Sequence, residues 1–331
     1  MSAPEPAAGS VAALDALLDA LSDPMVRDLA WLLFSTPLLR AQPPTGELAN
    51  AFESAAEAAA AVQWLTELDR DAGALRAVIA ATRTARLGRY AECLLGYFLQ
   101  HGPAARLVAS NIALRLAGRT IGECDFLVET ASGRRLHWEL AVKCYLHAGS
   151  GRGELADYVG PSLQDRFDLK LAHLLGHQLP LSAREEFAAL GHGGPWQAQM
   201  FVKGWLFYRW DEAPPAVQAV DAAHHRGFWV TRSDWPAFSA RCAGARWVAL
   251  PRLAWLAPRP AVVNEEVDAA RLSAWGTLAE PLLPHSGPVM VAAFERAPAT
   301  VGPGRWRETQ RGFVVPDAWP EQARAFALGS A

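Results

Sequence analysis

Three charged residues in the middle of the chain have the types and spacing suited to phosphodiester hydrolysis. Asp125, Glu139 and Lys143 lie in segments where apolar and polar residues alternate, as they do in β-strands. Mg²⁺ favours oxygen ligands, typically one or two carboxylates with water and substrate phosphate. A bound metal polarises a phosphoryl oxygen, and a nearby lysine stabilises the developing charge. We therefore predict that Asp125 and Glu139 bind Mg²⁺ or Mn²⁺ and that Lys143 acts on the water and the transition state.

The segment around Glu139 is predicted to be a strand with one apolar and one polar face, because side chains alternate along a strand. The apolar face comprises Leu136, Trp138, Leu140, Val142, Cys144 and Leu146, and the other face comprises His137, Glu139, Ala141, Lys143 and Tyr145. On the preceding strand, Glu123 and Asp125 share a face. Pairing of the two strands as an antiparallel hairpin brings Asp125 near Glu139. The alternative is an exposed ion pair, which stabilises by only about 0–1 kcal/mol.

The elements that must position these residues follow the order helix, three strands, helix, strand. A helix with one apolar face is predicted over residues 87–100, and Glu92 lies off the centre of that face. Strands are predicted over 106–115, 120–129, 136–146 and 197–208, and a second helix over 163–175. The first three strands form a meander, with a turn at Ala131-Ser132-Gly133 between the second and third.

The regions on either side of this core differ in pattern, and we divide the chain into three parts. Residues 1–84 are predicted to be helical, with Pro24 in the first turn of one helix and an alanine-rich helix over 47–68. Residues 85–210 form an α/β (α+β) core. Residues 211–331 form a strand-rich, tryptophan-rich C-terminal extension.

The second predicted helix of the core carries basic residues at helical spacing. Arg166, Lys170, His173 and His177 follow one another at intervals of four, three and four residues. Such a stripe suits contacts to a phosphate backbone, and Arg166 and Lys170 are the predicted phosphate ligands. The alternative is a solvated face on which Asp165 and Asp168 accompany the basic residues.

The motifs of the second and third strands resemble those of the PD-(D/E)XK, or restriction-endonuclease-like, nucleases. The relevant segments are Gly122-Glu123-Cys124-Asp125-Phe126-Leu127 and Trp138-Glu139-Leu140-Ala141-Val142-Lys143. The resemblance implies a metal-dependent nuclease in which Asp125, Glu139 and Lys143 form the site. It also makes Glu92, on the preceding helix, an additional candidate, and Glu123 is another. The order of elements is likewise similar to the core of that superfamily.

The whole chain further resembles an uncharacterised bacterial family, domain of unknown function 1853, which is itself similar to these nucleases. One position departs from the nuclease pattern, because Ala141 stands where an acid usually precedes the lysine by two residues. Two hypotheses follow. The first is a metal-dependent nuclease that acts on DNA or RNA. The second is a non-catalytic protein on a degenerate nuclease fold that binds nucleic acid or another protein.

Composition places further bounds on the function. The 331 residues are 51% hydrophobic and carry a net charge of −3, which argues against coating nucleic acid by charge alone but permits a local basic groove. The four cysteines show no zinc-ligand or Cys-x-x-Cys spacing. No apolar run is long enough to span a bilayer, and no signal peptide is apparent. We therefore expect a cytoplasmic protein without a membrane partner.

Overall fold

The computed structural model describes residues 9–43, 46–116, 118–149, 153–242, 245–259, 287–296 and 306–329. Residues 260–286 and 297–305 of the predicted C-terminal extension lie outside this description. The described residues form a mixed α/β structure built on a large mixed sheet.

Five helices precede the first long strand. They are α1 (Gly9–Ala20), α2 (Pro24–Phe34), α3 (Ala55–Arg70), α4 (Gly73–Thr82) and α5 (Leu87–His101). The Asp23 carboxylate accepts hydrogen bonds from the Met25 and Val26 amides, and Pro24 occupies the first turn of α2, as predicted. The predicted helix over 47–68 is wrong at its start. Glu47–Leu48 form a short strand, β1, parallel to a later strand, and α3 begins only after the Ser54 side chain caps it.

The predicted meander is present and directly follows α5. Its strands are β2 (Arg106–Leu116), β3 (Arg119–Glu129) and β4 (Arg135–His147), and each pairs antiparallel with the next. Gly133, at φ 82°, closes the turn between β3 and β4. The β3–β4 ladder runs only from the Glu129–Arg135 pair to the Phe126–Trp138 pair. Beyond Trp138, β4 continues without β3.

The sheet continues on the other side of β4. Strand β6 (Gln197–Arg209) pairs parallel to β4 along almost its whole length, and a short β5 (Tyr158–Val159) pairs with the end of β4. Between them lie α6 (Phe167–His173), a π-helical turn (Leu174–Gln178), a 3-10 turn (Leu179–Ala183) and α7 (Glu185–Ala188). The predicted order of helix, three strands, helix and strand is therefore observed, with these short elements added.

The C-terminal region extends the same sheet. Its elements are β7 (His225–Thr231), α8 (Trp235–Ala240), β8 (Arg246–Ala249), β9 (Val289–Arg296), β10 (Trp306–Val315) and α9 (Trp319–Ala327). The strand order β2-β3-β4-β6-β7-β10-β9-β8 runs through both the predicted core and the predicted extension. The predicted boundaries fall in the α4–α5 turn and just after β6, and the largest apolar cluster contains residues from all three parts.

The two faces of β4 contact different layers, as the alternation predicted. The even-numbered residues Leu136 to Leu146 pack in the main core together with α2 and α5. On the other face, Ala141 and Tyr145 pack in a second cluster with Phe167 and Leu171 of α6. Helices therefore cover both faces of the strand that carries Glu139 and Lys143.

Candidate functional site

The two predicted acids meet at the point where β3 leaves β4. Asp125 and Glu139 are the residues directly after the last pair of the β3–β4 ladder. The Leu140 amide, which has no β3 partner here, donates a hydrogen bond of 2.8 Å to Asp125 Oδ2. The Asp125 amide lies 3.4 Å from Glu139 Oε1. The Asp125 side chain thus accepts a hydrogen bond from β4 beyond the end of the β3–β4 ladder. The two acids lie close together, as predicted.

The alternation of β3 breaks at the same place. Cys124 packs with Ile121 and Leu127 in one small apolar cluster, whereas Phe126 packs in the main core. Strict alternation would have put Cys124 on the opposite face from Leu127. Asp125, the next residue, accepts its hydrogen bond from the Leu140 amide at this irregularity.

Glu139 is fully buried, with 0% of its surface exposed. Its Oε1 lies 2.7 Å from His137 Nε2, and its Oε2 accepts a 2.6 Å hydrogen bond from Gln178 Nε2. His137 Nδ1 is in turn 2.9 Å from Ser182 Oγ. These contacts fix the orientation of the Glu139 carboxyl group, and Oε2, which accepts only from Gln178 among the described residues, keeps a further lone pair.

Burial and mutual repulsion disfavour the ionised forms of the two acids. Burial is the largest cause that raises the pKa of Asp125 to about 8, and the neighbouring Glu139 adds to it. Burial likewise raises the pKa of Glu139 to about 8. Burial lowers the pKa of His137 to about 4, so this imidazole is neutral at pH 7. Without a bound cation, Asp125 and Glu139 therefore retain protons near pH 7 that exposed carboxyl groups would have released.

A cleft of about 840 Å³ opens beside the acids, along the part of β4 that has no β3 partner. Its floor is the β4 segment from Leu140 to Lys143, and its walls are the α4–α5 turn and Lys170 of α6. Five cationic side chains line it, Arg83, Arg86, Arg89, Lys143 and Lys170, together with the two acids Glu92 and Glu123. The cleft is therefore mainly positive, although the chain as a whole is slightly negative.

Lys143 lines the cleft, but its partner is not Glu139. Its Nζ donates a hydrogen bond to Asp165 Oδ2, and the Tyr145 hydroxyl donates to the same oxygen at 3.0 Å. Strand alternation correctly placed Glu139 and Lys143 on one face. It could not show that Asp165, in the loop before α6, pairs with the lysine.

The additional candidate acids also border the cleft. Glu92 pairs with Arg89 at 2.7 Å and is partly exposed, whereas Glu123 is exposed. Both are close enough to Glu139 to contribute to the raised pKa of that group. Neither has the burial that orients Glu139.

The structure divides the predicted basic stripe. Lys170 faces the cleft, whereas the Arg166 guanidinium forms two hydrogen bonds with Asp168 and reaches the Phe326 and Ala327 carbonyls of α9. His173 and His177 are exposed and stack on each other. Only Lys170 is therefore brought to the other predicted site residues, because helix α6 ends at His173 and Arg166 precedes its first turn.

Sequence reasoning did not identify the supporting roles of His137, Gln178, Ser182 and Asp165. The sequence does contain one indication that Lys170 is unusual, because only three of the 31 lysine and arginine residues are lysine, at positions 143, 170 and 203. Two of these three line the cleft. Gln178 and Ser182 gave no signal, because the turns that carry them have no regular apolar period.

A second set of donor atoms surrounds Glu139. Cys124, His137 and Glu139 are all buried, and one ligand atom from each lies within 4.8 Å of the others. Both nitrogens of His137 are, however, engaged with Glu139 and Ser182, and burial raises the pKa of the Cys124 thiol. The carboxylate oxygens of Asp125 and Glu139 are therefore the better donors for a hard cation, although Glu139 is buried and neither acid lines the cleft.

The raised acid pKa values predict how stability depends on pH in the metal-free protein. Between about pH 4 and pH 8 the unfolded chain ionises Asp125 while the folded protein still binds the proton, so stability should fall as pH rises through this window. Asp125→Asn should flatten the dependence and raise the melting temperature at pH 8.5, by about 2–4 °C for each kcal/mol regained. Thermal unfolding in EDTA from pH 5 to 9 measures this. Parallel profiles for the two proteins would contradict it.

Within the described part of the chain, no helix is both long and apolar enough to cross a bilayer. No significant match was found among curated proteins or among solved structures. Residues 27–315 match the model of a family described as Domain of unknown function (DUF1853). Since this match spans most of the 331 residues, the chain belongs to the DUF1853 family.

Proposed function

We propose that this protein is a metal-dependent nuclease that hydrolyses phosphodiester bonds in nucleic acid. The observation that carries the proposal is the Asp125–Glu139 pair, which lies where β3 and β4 separate beside a mainly cationic cleft. If the two acids served only in structural ion pairs, each would lie beside a cationic side chain. Among the described residues, neither acid forms an ion pair with lysine or arginine. The basic side chain that contacts Glu139 is His137, which is neutral at pH 7.

The donor set fits Mg²⁺ or Mn²⁺. Two carboxyl groups on rigid strands, with room for water in the cleft, match the oxygen ligands that these cations prefer. Asp125 and Glu139 would hold the ion, with Glu92 or Glu123 at the border of the site. When bound, such an ion polarises a phosphoryl oxygen and makes water more nucleophilic. A bound cation would favour the ionised forms of both acids, whose pKa values burial raises in its absence.

The positive side chains of the cleft suit a phosphate backbone. Arg83 and Arg86, on the α4–α5 turn, are exposed and form no ion pair within the described chain. They can therefore approach phosphates without breaking an existing contact. A lysine in the cleft would stabilise charge at the scissile phosphate, and both Lys143 and Lys170 are placed there.

A second candidate function is a binding protein that uses the same fold without catalysis. Three observations favour it: Ala141 replaces the acid expected two residues before Lys143, Asp165 neutralises Lys143, and Glu139 is fully enclosed. Such a protein would bind nucleic acid or another protein through the cleft. Metal would bind weakly, and Asp125→Ala would leave the affinity for the partner nearly unchanged.

A cleavage assay on labelled DNA and RNA, single-stranded and duplex, separates the two functions. We expect the wild-type protein to cleave at least one substrate with Mg²⁺ or Mn²⁺, to stop in EDTA, and to lose activity on Asp125→Ala. Glu129→Ala is the matched control, because this acid lies at the C-terminal end of β3 in an exposed pair with Arg106.

Two results would decide against the nuclease. Cleavage that survives Asp125→Ala would indicate a contaminant. Binding without cleavage would favour the non-catalytic alternative, and in that case Ala141→Glu shows whether restoring the missing acid creates activity.

A further inference from the structure

The chain uses arginine for almost all of its cations, and two of its three lysines lie in the cleft. The third, Lys203, is only 4% exposed, and its Nζ donates to the Ser35 carbonyl. Arginine stays charged and spreads its charge over a planar group, whereas lysine offers a compact charge that a site can adjust. The presence of lysine rather than arginine at these two positions of the cleft therefore points to a role that depends on a compact charge.

The charge of Lys143 is already neutralised. Asp165 Oδ2 accepts hydrogen bonds from both Lys143 Nζ and the Tyr145 hydroxyl. The side chain of Lys143 is 28% exposed and that of Asp165 is 36% exposed. To contact a phosphate fully, Lys143 would have to leave a carboxylate that a second donor holds in place.

Lys170 has a different environment. Its Nζ donates a 2.7 Å hydrogen bond to Gln178 Oε1, a neutral acceptor, and it forms no ion pair within the described chain. Burial and the nearby Lys143 lower its pKa, whereas Asp125 and Glu139 act in the opposite direction. The Lys170 ammonium therefore lies in the field of the two acids without being bound by either, which leaves two of its protons for other acceptors.

Gln178 connects Lys170 to Glu139. It ends the π-helical turn Leu174–Gln178, and such turns occur frequently at functional sites. Its Oε1 accepts from Lys170, while its Nε2 donates to Glu139 Oε2 at 2.6 Å. A side-chain amide can accept from the ammonium through its oxygen and donate to the carboxylate through its nitrogen at the same time.

We propose that Lys170, rather than Lys143, is the catalytic lysine that contacts the substrate phosphodiester, and that Gln178 is a positioning residue that holds it beside Glu139. The inference rests on the proposed nuclease function and deepens it. Lys170 donates a hydrogen bond to a phosphate oxygen as negative charge develops there. Lys143, in its pair with Asp165, supports the second cluster and the floor of the cleft.

The small number of lysines permits a test that does not depend on turnover. Protein labelled with ¹³C at the lysine Cε atoms gives three side-chain signals, which Lys143→Arg, Lys170→Arg and Lys203→Arg assign. We expect a phosphorothioate oligonucleotide, added with Ca²⁺, to move the Lys170 signal most. The Lys203 signal should stay in place as an internal control. In Gln178→Leu, the response of Lys170 should be lost.

Single-turnover cleavage gives the second measurement. Lys170→Met should slow cleavage by about 100-fold or more, and Lys143→Met by less than about tenfold. In steady-state cleavage, Gln178→Leu should lower kcat by about tenfold with little change in KM. The matched control is Gln164→Leu, at an exposed residue just before α6. If Lys143 showed the largest signal shift and its substitution the largest loss of cleavage, the inference would be overturned and the proposed nuclease function would stand. The same would follow if the wild-type protein bound or cleaved the oligonucleotide but Lys170 showed no signal shift and its substitution no loss of cleavage. A wild-type protein that neither binds nor cleaves nucleic acid would overturn both proposals.

Discussion

Glu139→Gln should reduce metal-dependent cleavage by about 1000-fold while the protein stays folded. The amide has the shape of the carboxyl group, so it can donate to the neutral His137 Nε2 and still accept from Gln178 Nε2. What it cannot supply is a negative charge towards a cation beside Asp125. The expected loss is therefore specific to chemistry and does not reflect collapse of the site.

Melting temperature with and without Mg²⁺ provides the independent measurement for this variant. A ligand that binds the folded state raises stability according to its concentration and affinity, so wild-type protein should be stabilised by Mg²⁺ and Glu139→Gln should not respond. Glu129→Gln is the matched control, since it makes the same change at an exposed position of β3. Cleavage by Glu139→Gln within about tenfold of wild type would exclude Glu139 as a required ligand.

The parts of the site that could be predicted are those that a local pattern determines. The alternation in β4 shows which residues share a face, and the turn at Gly133 sets β3 against β4. Together these two features bring Asp125 opposite Glu139. The same reasoning located α5, the meander and β6 to within a few residues of their observed ends.

The partners of each side chain could not be predicted, because they come from segments distant in the sequence. Gln178 lies 39 residues after Glu139, and Asp165 lies 22 residues after Lys143. The break in β3 alternation at Cys124 arises where the ladder ends, and no composition signal marks it. Alternation therefore predicts the face of a strand, while the packing of α6 and its turns decides whether a charge on that face is buried, paired or free.

The residue pattern of the C-terminal region does not show which sheet its strands join, because they extend a sheet whose centre lies elsewhere in the chain. Strand β10 pairs parallel with β7 and antiparallel with β9. Parallel neighbours need not be adjacent in sequence, so residue pattern alone could not join these strands to β6. In addition to the main apolar core, a buried ionic network joins the N-terminal and C-terminal regions.

Asp28→Ala should destabilise the protein by about 3–5 kcal/mol, because it removes one member of that network and leaves a buried charge without its partner. Asp28 is 1% exposed and accepts hydrogen bonds from the Arg259 guanidinium, the Tyr90 hydroxyl and the Ala257 amide. It thus joins α2 to α5 and to the segment before residue 260.

Denaturant unfolding of Asp28→Ala measures this loss, with Asp19→Ala as the control. Asp19 is 42% exposed and pairs with Arg307 at 3.6 Å, so its removal should change stability by less than about 1 kcal/mol. Because Asp28 holds helices at one end of the chain to a segment near the other, the variant should still unfold in a single transition at lower denaturant concentration. A separate transition at lower denaturant concentration would instead mean that the C-terminal strands unfold as a unit of their own and that the network does not couple them to the N-terminal helices. A loss below about 1 kcal/mol would mean that Glu308, which already contacts the Arg259 amide, compensates for the missing carboxylate.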